Sequence, residues 1–331
     1  MIQNRIEILL QLNEYIQNND AKFQSIKELA ERQNGWFTQD NIELALSTIC
    51  EQYLNKNQLI QFANTIETSE SKNKSLLIGI TMAGNIPLVG FHDFLCVFLS
   101  GHRQLIKFSS KDDILLPHLI QKIYEWDDTY RKMVASSEML KGCDVYIATG
   151  SNNSARYFEK YFAKYPHIIR RNRTSVAILN GQENKEDLEN LAKDVYQYFG
   201  LGCRNVTKLF VPRDYDFIPL LEAFKIYDDV KNHNKFRNNF DYNLALYILN
   251  NQYYMSNESL LLVENSSLFS SIAVLNYEYY DDIISVKNSL HNHPDIQAII
   301  GKDFLPFGTV QCPAISDFAD GVNTIEFLNS L

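Results

Sequence analysis

Cys203 is the side chain whose surroundings in this sequence best suit chemistry. It lies in Gly200-Leu201-Gly202-Cys203-Arg204-Asn205, between a charged stretch of helical pattern and the apolar run Thr207 to Pro212. The thiolate is the reactive form of cysteine, and nearby cations lower a thiol pKa, a part open here to Arg204 and Lys208. Flanking glycines let a bulky thioester approach and let backbone N–H groups point at a developing oxyanion. The bland alternative is a small residue packed in a tight turn, the usual fate of an unbridged cysteine. Cys50, Cys96, Cys143 and Cys312 sit in apolar contexts without glycine pairs, so packing is the expectation for them.

A second group of residues suits an anionic nucleotide. Gly84-Asn85, Lys107-Phe108-Ser109 and Gly150-Ser151 each follow a short apolar run of strand length. Arg170, Arg171 and Arg173 form a basic cluster that suits phosphates, or equally a solvated turn. His291-Asn292-His293 precedes Pro294 without further ligands nearby, so no metal site is expected. His92, on an apolar segment, reads as a packing residue.

The elements that position these groups follow from periodicity. Ile2, Ile6, Leu9, Leu10 and Ile16 recur at helical spacing, and Asp40 with Glu43 forms a capping-box pattern. From Ser75 onward strands and helices alternate: Leu76 to Met82, a helix within Leu88 to Leu99 with Pro87 at its first position, and Gln104 to Phe108. Ile114 to Trp126, Asp144 to Thr149, Asn153 to Phe162 and Thr174 to Asn180 continue the series. Strands apolar on both faces argue for a parallel, doubly wound sheet, with ligands at the strands' carboxyl ends. A charged helix, Lys185 to Tyr198, then leads to Cys203 and the strand Thr207 to Pro212. A second α/β domain follows, with another alternation at Leu260 to Glu264.

Composition narrows the function classes. A chain of 331 residues suggests about two domains, and 45% hydrophobic content with 20 Phe and 19 Tyr builds sizeable cores. A net charge of -9 speaks against non-specific nucleic-acid binding. No apolar run approaches the roughly 20 residues that span a bilayer, and the amphipathic start is not a signal peptide. Five scattered cysteines, an odd number, fit free thiols in a cytoplasmic protein.

Several segments together carry a resemblance. Gly202-Cys203 followed by Lys208-Leu209-Phe210-Val211 resembles the nucleophile turn and next strand of the aldehyde dehydrogenases. Asn85-Ile86-Pro87 is similar to that superfamily's Asn-Phe-Pro, and Lys107-Phe108-Ser109-Ser110 to its Lys-Pro-Ser-Glu. Ala148-Thr149-Gly150-Ser151 resembles its Phe-Thr-Gly-Ser, and Phe307-Gly308 its late Phe-Gly-Pro, all in the same order. Within that superfamily the likeness is to the LuxC-type acyl-CoA reductases. It is carried by Gly200 to Asn205, Thr174-Ser175-Val176, Phe307-Gly308 to Gln311-Cys312-Pro313, and Asp320 to Thr324, and it covers roughly Ser75 to Leu331.

The resemblance implies an α/β, aldehyde-dehydrogenase-like fold: a doubly wound cofactor-binding domain plus a second α/β catalytic domain. Residues 1–74 become a helical segment packed on the cofactor domain. Residues 75–183 with 304–331 become the NADP-binding domain, and 184–303 the catalytic domain with Cys203. The implied reaction is NADPH-dependent reduction of a fatty acyl-CoA to the aldehyde through a Cys203 acyl-enzyme. The Asn85 amide and the Cys203 N–H are the implied oxyanion donors. Lys107 is implied at the adenine-side ribose, Ser109, Ser110 and Lys111 near a 2′-phosphate, and Gly150 and Ser151 at the pyrophosphate. Phe307 is implied as a further cofactor-binding residue. Implied partners are the acyl-CoA substrate, an acyl-activating or carrier protein, and a second copy of the chain.

Two departures from the superfamily pattern bear on mechanism. Water-using aldehyde dehydrogenases carry a general-base Glu in Glu-Leu-Gly-Gly. This chain has Arg170-Arg171-Asn172-Arg173-Thr174-Ser175-Val176, without a carboxylate. Slow hydrolysis of an acyl-enzyme leaves CoA exchange and reduction as its fates. The Glu before Phe-Gly that holds the nicotinamide ribose is replaced by Leu305-Pro306. The competing classes are a cysteine-dependent acyltransferase or acyl carrier without reduction, and a catalytically silent nucleotide-binding or assembly subunit. Lys107, Gly150 and Ser151 speak against the former and the Cys203 turn against the latter. NADPH binding discriminates the former.

Overall fold

The computed structural model describes residues 2–68 and 74–331. The chain divides into two compact units, Met1–Asn172 with Pro313–Leu331, and Arg173–Cys312.

The first unit opens with α1 (Ile2–Asn18), α2 (Ala21–Gln33), α3 (Gln39–Thr48) and α4 (Lys56–Ala63). The α1 stripe Ile6, Leu9, Leu12 and Ile16 is buried in one core with the strands that follow. The capping box expected at Asp40 and Glu43 is not formed. Thr38 caps α3 instead, its hydroxyl accepting the Asn41 N–H at 3.3 Å. Asp40 falls in the first turn, where its charge suits the helix dipole, and Glu43 pairs with buried Lys27.

Next come β1 (Leu77–Thr81), α5 (Phe91–Ser100), β2 (Arg103–Lys107), α6 (Leu115–Trp126), β3 (Val134–Ser136), β4 (Val145–Thr149), α7 (Asn152–Phe162) and β5 (His167–Arg170). Every strand pair is parallel, in the order β3-β2-β1-β4-β5. Ile78 and Ile80 of β1 and Val145 and Ile147 of β4 are buried, as a strand covered on both faces requires. The chain winds outward from β1 through β2 to β3, then returns to β4 on the other side. The gap between the carboxyl ends of β1 and β4 is therefore the topological switch point, where open α/β sheets bind ligands. Helix α5 is buried almost all round and ends on Gly101 at φ 79°. Pro87 does not open it: α5 begins at Phe91, and Leu88 between them takes φ 57°.

The second unit contains β6 (Thr174–Ile178), α8 (Lys185–Tyr196), β7 (Val206–Pro212), α9 (Phe217–Ala223), α10 (Asn234–Leu249), β8 (Met255–Ser256), β9 (Leu261–Glu264), β10 (Val274–Tyr280), α11 (Ile283–Leu290) and β11 (Ile296–Ile300). Its sheet runs β11-β6-β7-β10-β9-β8, parallel except for β8 on β9. Asn184 and Asp187 open α8 with a reciprocal capping box at 2.9 and 3.0 Å.

These units divide the chain at 172/173 and 312/313, where the sequence suggested 183/184 and 303/304. The physical reason is strand pairing. β6 bonds to β7 and β11, and the segment after β11 is held inside the second unit by backbone bonds such as Leu305 N–H to Ile299 O at 3.2 Å.

Candidate active site

Six of the predicted site residues fall on the carboxyl edge of the first sheet. Because β1, β2 and β4 are parallel neighbours, the segments after them emerge side by side. Gly84 packs so closely on the turn after β2 that a Cβ there would lie 2.6 Å from Ser109 Oγ and 2.8 Å from Ser109 Cβ. Asn85 and Lys107 are exposed, as are Ser110 and Lys111. The turn closes with the Asp112 N–H donating to Ser109 O at 2.9 Å, and the Asp112 carboxylate accepts the Leu88 N–H at 2.8 Å. That second bond ties the Asn85 loop to the Lys107–Ser110 turn. Burial pushes the Asp112 carboxyl up to about 7, partly offset by the Leu88 N–H.

The N-terminal helices, which showed no chemistry in sequence, brace this turn. Gln33 donates to Ser110 O at 3.3 Å and to Asp113 at 2.5 Å, and Asn34 donates to Lys111 O at 3.1 Å. At the end of β4, Gly150 leaves no room for a side chain against Ser154, whose Cβ would be 2.8 Å away. Ser151 caps α7, its hydroxyl accepting the Ser154 N–H at 3.2 Å. The amino end of α7 thus sits at the switch point, where helix N–H groups favour anions.

Arg170 does not belong with the expected phosphate-binding cluster. It is buried and paired with Asp93 at 2.8 Å, and it also donates to Thr324 Oγ1 at 2.8 Å and to Ala319 O. The Arg170 guanidinium holds the Asp93 carboxyl below its ordinary value against the opposing effect of burial. Arg171 pairs with Glu159 on the surface, and Arg173 donates to Ile296 O at 3.3 Å.

Cys203 and Phe307 lie in the second unit, both on segments tied to α8. After α8 ends, Tyr198, Phe199 and Gly200 take left-handed conformations at φ 53°, 56° and 74°. The chain then makes a tight turn in which the Asn205 N–H donates to Gly202 O at 3.1 Å. Cys203 occupies the second position of that turn, half-buried, with its carbonyl accepting from Ser175 Oγ at 3.3 Å. The Gly202 N–H is taken by Asn205 Oδ1 at 2.8 Å, so it is not an oxyanion donor. Gly308, at φ 81°, sits against α8, where a Cβ would meet the Asn190 side chain at 3.0 Å. The buried Asp194 carboxylate accepts the Gly308 N–H at 2.7 Å and the Val310 N–H at 3.4 Å.

Lys208 does not serve as a free cation beside the thiol. Its ammonium is wholly buried, donating to Asn265 O and paired with Glu278 at 2.8 Å. Burial lowers its pKa, with Glu278 opposing. The other cysteines divide. Cys50, Cys96 and Cys143 are buried with thiols pushed up by desolvation, Cys50 to about 12, while Cys312, expected in an apolar setting, is exposed.

Among the described residues no helix is long and apolar enough to cross a membrane, and no cluster of three or more His, Cys, Asp or Glu could hold a metal ion. No curated protein matches the chain. Solved structures similar to it include an aldehyde dehydrogenase from Bacillus cereus in complex with NAD+. That match has 12% identity and a TM-score of 0.66, covering 91% of this chain and 71% of that one. Aldehyde dehydrogenase 21 from Physcomitrella patens, in complex with the product succinate, gives 11% identity and a TM-score of 0.65 over 92% and 74%. The putative aldehyde dehydrogenase PutA from Anabaena variabilis gives 13% and 0.65 over 93% and 75%. The family model Acyl-CoA reductase (LuxC) matches residues 5–222, a span that holds both the switch-point edge and the Cys203 turn. On that match the chain belongs to the acyl-CoA reductase (LuxC) family, and it is an oxidoreductase of aldehyde-dehydrogenase fold acting on acyl or aldehyde substrates.

Proposed function

We propose that this chain reduces a fatty acyl thioester to the aldehyde with NADPH, through an acyl-enzyme on Cys203. The observation that carries the reading is the Cys203 turn, a half-buried thiol on a backbone fixed by Asn205 and Ser175 in a chain of the acyl-CoA reductase family. The Cys203 thiolate attacks the thioester carbonyl. A carbon–sulfur bond to Cys203 forms as the bond to the CoA sulfur breaks, and CoA leaves as its thiolate. The Cys203 N–H holds the negative oxygen of the tetrahedral intermediate. When bound, NADPH supplies the hydride that takes the acyl carbon to the aldehyde level. Breaking the bond from that carbon to the Cys203 sulfur then releases aldehyde and restores the thiolate. Arg170 to Val176 offers no carboxylate base for hydrolysis, which supports a reductive fate.

The switch-point edge fits a dinucleotide. Gly150 and Ser151, at the amino end of α7, would meet the pyrophosphate, and Lys107 the adenine-side ribose. Ser109, Ser110 and Lys111 would meet a 2′-phosphate. Phe307 is proposed as a further cofactor-binding residue. We place the reaction in the cytoplasm, with CoA or a carrier protein as acyl donor. NADPH oxidation across acyl-CoAs of rising chain length tests the reading. Oxidation that depends on the acyl group and disappears in Cys203→Ala is expected; a variant as active as wild type would remove Cys203 from the mechanism.

A further inference from the structure

Helix α8 ends beside both segments that the proposed reaction uses, and it ends in an unusual way. The last four carbonyls of a helix have no partner within it. Continuing the helix does not solve this here, because Tyr198 and Phe199 adopt left-handed conformations, which non-glycine residues disfavour. One side chain closes the end instead. Asn205, wholly buried, donates through Nδ2 to Asp194 O at 3.1 Å, Val195 O at 3.3 Å and Gln197 O at 2.8 Å. Its Oδ1 accepts the Gly202 N–H at 2.8 Å. The two N–H groups of the amide are thus shared among three carbonyls, and its oxygen fixes the residue just before Cys203. In the same turn of α8, Asp194, also wholly buried, accepts from the Gly308 and Val310 N–H groups.

We propose that Asn205 and Asp194 are positioning residues, which register the Cys203 nucleophile and the Phe307–Gly308 turn against each other through the last turn of α8. The inference builds on the reading of Cys203 as the acyl-accepting thiol. Asn205 acts on the thiol by fixing the Gly202–Asn205 turn that carries it. Asp194 acts on the segment that follows Phe307, with no role in forming the acyl-enzyme. The two residues therefore affect different steps, which a shared role in stability alone would not produce.

The test uses the full-length protein and an alkylation readout independent of acyl-CoA and NADPH. Cys203 and exposed Cys312 lie in the same unit, so their alkylation by iodoacetamide, resolved by peptide mass spectrometry, gives a ratio that does not depend on enzyme concentration. Asn205→Asp keeps the acceptor for Gly202 but turns an oxygen toward three carbonyls. We expect the Cys203:Cys312 ratio to change at least fivefold in folded protein, and acyl loading of Cys203 to slow 10- to 100-fold. A ratio within twofold of wild type in a folded variant overturns the role of Asn205.

Asp194→Asn keeps one acceptor oxygen and serves even where Asn205→Asp does not fold. It should leave the rate of acyl loading within twofold while slowing NADPH oxidation about tenfold. Equal losses in both steps, or in neither, overturn the role of Asp194. A wild type that alkylates at Cys203 yet accepts no acyl group would remove the reductase reading and leave the alkylation test of Asn205 in force.

Discussion

Gly84→Ala probes the proposed cofactor edge with one added carbon. The new Cβ would lie 2.6 Å from Ser109 Oγ, 2.8 Å from Ser109 Cβ and 3.1 Å from Lys111 Cβ. Carbon–carbon contacts favour about 3.5–4.0 Å, so the segments after β1 and β2 must separate by roughly 1 Å. Rotating the Ser109 side chain moves Oγ but leaves its Cβ in the way. Overpacking of this kind costs about 1–3 kcal/mol. If the cofactor needs these two segments at their native spacing, that cost appears as a roughly 5- to 150-fold weaker Kd for NADPH. Fluorescence titration of NADPH measures it, with a thermal melt to confirm folding. Ser109→Gly removes the two nearest of these three atoms, so the double variant should bind more tightly than the sum of the two single losses predicts, by about 0.5–3 kcal/mol. A folded Gly84→Ala that binds NADPH within twofold of wild type would refute the placement of the cofactor on this edge.

Two further outcomes follow from buried charges. Burial raises the Asp194 carboxyl to about 7 against an ordinary 3.8, with the Gly308 and Val310 N–H groups and Lys193 opposing. The folded state therefore holds a proton there that the unfolded chain has lost, so this contribution to stability is full below about 4 and fades as pH rises through about 7. At about 1.36 kcal/mol per unit its ceiling is about 4 kcal/mol. Urea melts from pH 4 to 8 should show a decline that flattens in Asp194→Asn; an unchanged slope would contradict it. The double variant Lys208→Met with Glu278→Gln, which removes the buried pair without leaving a lone charge, should keep the rate of Cys203 alkylation within twofold of wild type, because the pair presents no net charge to the thiol. A clear loss of alkylation rate in that double variant would restore Lys208 as the cation that activates the thiol.

The alternation of strands and helices is legible because β1 and β4 carry apolar residues on both faces and α5 is mostly apolar. The sheet to which each strand belongs is not. β6 reads like the strands before it, and only pairing with β7 and β11 places it in the second unit. In α3, Thr38 and Asp40 are both good caps two residues apart, and no local rule separates them. Arg170 reads as one of a basic run, yet β5 alternates and turns it inward to Asp93, 77 residues earlier. Asp194 sits within a charged helical pattern, and its burial depends on Gly308 and Val310, more than a hundred residues on. Asn205 was visible as part of a family segment, but its contacts with the carbonyls of α8 were not. For β6, Arg170 and Asp194 the missing information is a partner distant in sequence, which periodicity does not encode.

The most direct test of the central claim is the mass of the protein after incubation with a long-chain acyl-CoA and no NADPH. One added acyl group is expected, located on the Cys203 peptide, absent in Cys203→Ala and discharged as aldehyde when NADPH is added. No adduct, an adduct on another residue, or one that NADPH leaves in place would contradict that claim.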